Sequence, residues 1–354
     1  MHTQPRHRPA MFAAATAIAL LIAGCGDGED DSAAAAAAPR STETSSAAAP
    51  FPVSVEHALG TTVIESEPTR VVTVGVTEQD FVLALGVAPV GVTDWYGDQP
   101  FATWPWAQDE LGDAQPVVLS TSDGLEYERI AALEPDLIIG TNAGLDETSY
   151  TLLSEIAPTI AHPAGAPAYF SRWDDQAQLI GRALGRAAEM DAIVADIHDQ
   201  FADAAAAHPE FAGTDVVFLQ NAFYDGDAIA YQEGLSTAFL TDLGFEIPSA
   251  LDEFATPDGQ AFIPIEQLGV LDAADVLLWA TETPSDRAAL EAEPLYMALE
   301  EVRDGRLVFT DGVTAGAIYF TSPLSLPFVL EHLVPALAST IAGHGPATIT
   351  TRPG

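Results

Sequence analysis

The chain has 354 residues, enough for two domains with a sizeable core, and its 48% hydrophobic content excludes both a small disulfide-stapled scaffold and a largely disordered chain. Twelve basic residues, every one an arginine, stand against 52 acidic ones, a formal net charge of −40. A field of that sign repels phosphate backbones and anionic headgroups, so nucleic-acid binding is excluded and a neutral or cationic small ligand is easier to hold than a polyanion; solubility alone would account for it equally well.

The single cysteine rules out an intramolecular disulfide, a CxxC redox pair and a thiolate zinc site. Its position is informative. Arg6 and Arg8 form a basic start, an apolar stretch runs from Ala10 to Leu21, and Ile22-Ala23-Gly24-Cys25 closes it, so residues 1–24 are expected to be an export signal. Ile22-Ala23-Gly24-Cys25 resembles the lipobox of bacterial lipoproteins, which implies lipidation of Cys25 and anchoring to the outer face of the cell membrane. No later segment is expected to reach the length of a membrane-spanning helix. Residues 25–50, rich in Ala, Ser, Asp and Glu and without a large apolar side chain, read as a loose acidic tether.

From residue 51 the chain reads as α/β. Val53 to Ile64 alternates on either side of Gly60 and predicts a hairpin. Val71 to Gly75, then Phe81 to Leu85, then Val90 to Val92 form a strand–helix–strand unit, with Thr77 and Asp80 as a capped helix start. Glu128 to Leu133 predicts a helix and Leu137 to Gly140 a buried strand; Glu266 to Leu271 and Val276 to Trp279 repeat that pattern, which implies two similar lobes. Trp173 to Leu184 predicts one helix and Ala187 to about Ala207 a longer one. On the latter, Met190, Val194, Ile197 and Phe201 form one apolar stripe, as in a strut between lobes or an ordinary surface helix. A strand from Asp215, a helix from Gly234 to Leu243, a strand at Arg306 to Thr310 and a last helix from Pro327 to Ile341 complete a second α/β half.

The segments His57 to Thr62, Pro68 to Gly75, Ala84 to Thr93, Ile130 to Ile138 and Ile180 to Gly185, in that order behind a lipobox, resemble the iron-siderophore solute-binding lipoproteins of ABC importers. The resemblance implies two Rossmann-like lobes, 51–185 and 211–354, joined by one long linker helix in 186–210, with a ligand cleft between them. It further implies a monomer that captures a ferric siderophore and offers it to an ABC permease and its ATPase. Relatives that carry haem or cobalamin share the architecture and remain the alternative; a surface-anchored enzyme on the same scaffold is the more distant one.

No GxxxxGK[ST], GxSxG or HExxH is present, and the histidines are scattered, so neither catalysis nor a resident metal or other cofactor is expected. A chelate already satisfies its iron and needs aromatic faces and a few donors. Trp95 and Tyr96 stand in an aromatic loop just after a predicted strand, with Trp104 and Trp106 as ligand contacts or local packing. Tyr224, with Tyr231 as the weaker companion, should approach from the other half, and Tyr319 belongs to a third aromatic loop, Gly316 to Phe320. Arg172, beside Trp173, is either a cleft cation, as the resemblance implies, or a helix-start ion pair. With so few cations, a neutral or cationic ferric hydroxamate suits the cleft better than a triply charged catecholate. The resemblance also implies one exposed docking carboxylate per lobe: Glu147, with Asp146 as rival, and, by pseudo-symmetry, Glu282, with Asp286 as rival.

Overall fold

A hairpin opens the described chain: β1 (Val53–His57) and β2 (Gly60–Ile64) pair antiparallel, and Gly60 supplies the φ of 138° at its turn. The computed structural model describes residues 51–94, 96–169, 171–256 and 259–351, all within the unit Ser46–Gly354. The expected signal, Cys25 and the tether lie outside them, as does Trp95.

The first sheet holds β3 (Val71–Thr73), β4 (Gly91–Thr93), β5 (Val117–Leu119), β6 (Leu137–Ile139) and β7 (Thr159–Ile160) in the order β5-β4-β3-β6-β7, all parallel. Its strands are apolar on both faces, as a covered parallel sheet requires. Val71, Leu137 and Ile139 pack with Phe81 of α1 (Glu78–Ala84), while Val72 and Ile138 pack on the opposite face. Short α2 (Gln108–Leu111) follows β4, and that opposite face is covered by Ile130 of α3 (Tyr127–Ala132) and Leu153 of α4 (Glu147–Ser154).

Two helices lead out of this lobe, α5 (Trp173–Ala183) and α6 (Ala187–Ala207). They touch closely at Gly181, where a Cβ would lie 2.6 Å from Met190. The stripe on α6 divides between the two cores: Met190 and Val194 enter that of the first sheet, Ile197 and Phe201 that of the second. That decides between the two readings of this helix in favour of the strut.

The second sheet has the order β10-β9-β8-β11-β12-β13, from β8 (Val216–Tyr224), β9 (Asp227–Tyr231), β10 (Gln260–Pro264), β11 (Val276–Ala280), β12 (Leu307–Phe309) and β13 (Ala347–Thr348). Strands β8, β11, β12 and β13 run parallel, but β9 and β10 are antiparallel, so a hairpin stands where the first lobe has a crossover. Helices α7 (Ala238–Thr241), α8 (Pro284–Glu291), α9 (Glu300–Asp304), α10 (Gly312–Tyr319) and α11 (Ser325–Ser339) fill the connections. The helix expected at Glu266 to Leu271 is a 3-10 segment, Ile265–Ala273.

One expectation needs correcting: the helical run Ser325–His344, 20 residues, is long and apolar enough by length and composition to cross a bilayer. Its apolar face has another use. Leu326, Val329, Leu333 and Leu337 are buried in the core of the second lobe, and Pro335 lies within the helix.

The start of α1 also departs from expectation. Thr77 is the N-cap residue without a side-chain cap bond, and Asp80 does not serve the helix. Asp80 Oδ2 instead accepts from Trp106 Nε1 at 2.7 Å and from Ser322 Oγ at 2.6 Å, joining the first lobe to the second, while its Oδ1 is buried without a partner. Burial pushes the Asp80 carboxyl up to about 6 against those two hydrogen bonds, and pushes Glu78, whose oxygens accept from the Asn142 and Thr77 amides, up to about 7.

Both groups bind protons more tightly folded than unfolded, so the stability they contribute is fully present below about pH 4 and lost as pH rises through 6 and 7. Asp80→Asn is expected to raise the unfolding free energy at pH 8 by up to about 3 kcal/mol, read as a higher urea midpoint, with the gain vanishing near pH 4. Equal midpoints for wild type and variant at both pH values would refute the strained carboxyl.

Candidate ligand-binding cleft

Doubly wound sheets hold ligands beyond the carboxyl ends of their strands, and here the loop after β4 packs on the end of α10, with Tyr231 of β9 and Glu282 of the β11–α8 link near enough to act on Tyr96. Tyr96, three residues beyond Thr93 at the end of β4, stacks on Phe320 at 5.5 Å and meets Trp104 edge-on at 5.3 Å. Trp104 stacks on Trp106 at 5.0 Å and is only 5% exposed. Its six-membered ring fits between two glycines: a Cβ at Gly97 would lie 2.8 Å from it and one at Gly316, on α10 of the other lobe, 2.6 Å. Trp104 is therefore packed into the seam between the lobes, the local-packing alternative for this residue.

From the second lobe, Tyr231 and Tyr319 both lie against Phe218, at 4.9 and 6.3 Å. The Tyr231 hydroxyl donates to Gln220 Oε1 at 2.8 Å, and that of Tyr319 to the Ala280 carbonyl at 3.4 Å. Burial pushes the Tyr96 and Tyr319 hydroxyls well above the usual phenol range, with the nearby Tyr231 hydroxyl and the Glu282 carboxylate adding to it. Three tyrosines from the two lobes thus converge. Tyr224 differs from its expected place: it stands at the tip of the β8–β9 hairpin, 65% exposed, and the weaker candidate Tyr231 is the one in the cluster. The expected Gly316–Phe320 loop is the end of helix α10.

Arg172 takes the ion-pair alternative. Its Nε and Nη2 donate to both oxygens of Asp174, at 3.0 and 2.7 Å, and its side chain is half exposed. Most of the other described arginines are held elsewhere, Arg70 on the Leu133 and Glu134 carbonyls, Arg129 on Glu126, Arg287 on Glu291 and Arg306 on Glu301 among them, while Arg182 is exposed beside a depression between α5 and α6. The groups acting on the cleft tyrosines include no arginine.

Glu282 is a correction. Pseudo-symmetry placed it as an exposed docking carboxylate, but it is half-buried in the cleft: the Asn221 side chain reaches its carboxylate, and it acts on Tyr96 and Tyr319. Asp286 caps α8, its Oδ2 accepting from the Glu282 and Thr283 amides. Glu147 is exposed in the first turn of α4, while its rival Asp146 is engaged as the N-cap, accepting from the Ser149 amide at 2.7 Å. Sequence reasoning missed Glu282, Gln220 and Asn221 as cleft groups; short polar residues at strand ends were the only signal.

Among the described residues no group of three or more His, Cys, Asp or Glu side chains is arranged to hold a metal ion. Two depressions of about 510 and 520 Å³ run along α6, one against Pro323 and Pro327, the other against α5; both lack aromatic walls. The aromatic cluster remains the candidate site.

The family described as "Periplasmic binding protein" matches residues 71–314. The chain belongs to that family. A periplasmic solute binding protein from Mycobacterium smegmatis str. MC2 155 is 46% identical, with TM-score 0.77, over 82% of this chain and 98% of its own. Streptococcus pneumoniae TIGR4 PiaA in complex with ferrichrome is 26% identical, with TM-score 0.69, over 82% and 99%. The probable siderophore-binding lipoprotein YfiY of Bacillus subtilis (strain 168) is 29% identical over 75% of this chain and 83% of its own. As a periplasmic binding protein the chain is a carrier, not an enzyme, and its two α/β lobes with a long linking helix are the architecture of these relatives.

Gly316→Val tests the seam of this binding protein. A side chain there must displace the Trp104 ring, so the variant is expected to lose about 1–3 kcal/mol and to shift indole emission to the red. An unchanged urea midpoint and emission maximum would refute the close approach.

Proposed function

We propose that this protein captures a ferric siderophore outside the cytoplasmic membrane and delivers it to an ABC importer for iron uptake. The observation that carries the reading is the convergence of Tyr96 with Tyr231 and Tyr319 across the lobes on a floor of Trp104 and Phe320. Such a surface offers apolar faces and hydroxyls to a chelate whose iron is already satisfied, and it offers nothing that would strip the metal. The names of its relatives point the same way: one is a probable siderophore-binding lipoprotein, and another is in complex with ferrichrome.

A neutral or cationic ferric hydroxamate is the favoured class, because the cleft holds a carboxylate and no guanidinium acts on its tyrosines. Trp95, adjacent to Tyr96, completes the proposed aromatic set. Lobes of 51–185 and 211–354 about a linker in 186–210 frame it. Cys25 is the proposed lipid anchor, on the outer face of the membrane behind a signal of residues 1–24, and Glu147 the first-lobe carboxylate that meets the permease.

Trp104 and Trp106 lie beside Tyr96 and Phe320, while Trp173 on α5 and the core Trp279 on β11 supply a background, so the ligand-dependent part of the indole fluorescence reports on the cleft. Titration is expected to show saturable quenching by a ferric trihydroxamate and far weaker response to a ferric tricatecholate or ferric citrate. Quenching by haemin or cobalamin alone would overturn the reading.

Uptake by intact cells supplies the second check. Cys25→Ala is expected to leave the chain in the soluble fraction, and Glu147→Arg to bind chelate normally while slowing uptake about tenfold or more. Membrane retention of the first variant, or full uptake by the second, would sink the corresponding assignment.

A further inference from the structure

Glu282 is unlike its surroundings in a cleft of aromatic rings and amides. It stands on the short link between β11 and α8, and burial pushes its carboxyl above the usual carboxylate range, opposed by a hydrogen bond from the Asn221 side chain. Asn221 lies within the bulge of β8 between Gln220 and Phe223, at a φ of 47°. It follows Gln220, which pairs with Ala280 two residues before Glu282, so its side chain lies beside that carboxylate, and its Oδ1 is buried without a hydrogen-bond partner.

Two acceptor groups are therefore held on neighbouring strand ends near Tyr96 and Tyr319. Neither is answered by a cation: the charged groups acting on Glu282 include Asp286 but no arginine. A half-buried carboxylate without a counter-ion is costly, and so is a buried carbonyl oxygen without a donor. One kind of occupant relieves both. A primary ammonium carries a positive charge and three N–H donors, enough to serve the carboxylate and the Asn221 oxygen together.

We propose that Glu282 and Asn221 form a subsite for a primary ammonium group carried at the periphery of the bound chelate, so that the protein prefers a chelate with a free amine to its neutral counterpart. This rests on the reading of the cleft as a ferric-chelate site. The tyrosines and tryptophans hold the body of the chelate, and the Glu282 subsite selects among chelates of the same class by their charge. The subsite also gives the bulge in β8 a use, since it turns Asn221 out of the regular ladder towards Glu282.

The test uses the full chain and a pair of probes, a linear ferric trihydroxamate with a terminal primary amine and the same chelate N-acetylated at that amine. Wild type is expected to bind the amine form about tenfold more tightly, and Glu282→Gln to bring the ratio of the two affinities close to one, with Glu282→Asp retaining part of the preference. Equal affinity of the two forms for wild type, or a ratio unchanged in Glu282→Gln, would overturn the subsite and leave the chelate reading standing. If neither form binds, both fall.

Discussion

The fold depends on the seam where two lobes, each with its own sheet, are locked against one another by a buried carboxyl and a buried indole. Asp80 stands on the first helix of one lobe and takes hydrogen bonds from Trp106 of its own lobe and Ser322 of the other. Beside it the Trp104 ring is wedged against Gly316. A carboxyl accepting two short bonds in a dry site is directional, and it fixes the angle between the lobes more narrowly than apolar contact alone can. The α6 strut reinforces this at the back, since one face of a single helix feeds both cores. Together these contacts link the two lobes both at the seam and along the helix behind it.

Much of the architecture could be read from the chain alone, because its signals are local. The alternation about Gly60 is the β1–β2 hairpin, the run Val71–Thr73 is a strand covered on both faces, and the Met190, Val194, Ile197 and Phe201 stripe is the buried face of α6. Even so, periodicity could not say that this stripe divides between two cores. The antiparallel β9 and β10 were equally hidden, because an extended segment shows its apolar pattern without showing which way its neighbour runs.

The cleft was harder to read, for identifiable reasons. Choosing Tyr224 over Tyr231 assumed a regular strand, but the bulge between Gln220 and Phe223 resets which side chains face the cleft. Placing Glu282 by analogy with Glu147 assumed that the chain leaves β11 as it leaves β6. It does not: β6 is followed by seven residues before α4, whereas β11 runs into α8 after three, Thr281 to Thr283, and Glu282 stays at the cleft. Asp80 was read as a helix cap because an acid at that spacing usually is one; its partners come from Trp106 and from Ser322, 242 positions away, which no local pattern contains. Arg172 had both readings open, and its bidentate contact with Asp174 settled on the nearer partner.

The charge of the whole molecule and the chemistry of the cleft act in the same sense at different ranges. A net charge of −40 sets up a field that falls off within about 8 Å at physiological salt, so it biases encounter and leaves the bound complex to local groups. Inside the cleft, the scarcity of cations matters more than the abundance of acids. The basic residues are all arginines, and those described, apart from the exposed Arg182, are tied to nearby carboxylates or carbonyls, which leaves aromatic faces, tyrosine hydroxyls and amides around the cleft. On the proposed reading such a surface would bind through area and shape, as a bulky chelate released intact requires. On that same reading, a guanidinium clamp on an anionic chelate would raise affinity at the expense of release, whereas one half-buried carboxylate would give discrimination by charge with a smaller contribution that is more readily reversed.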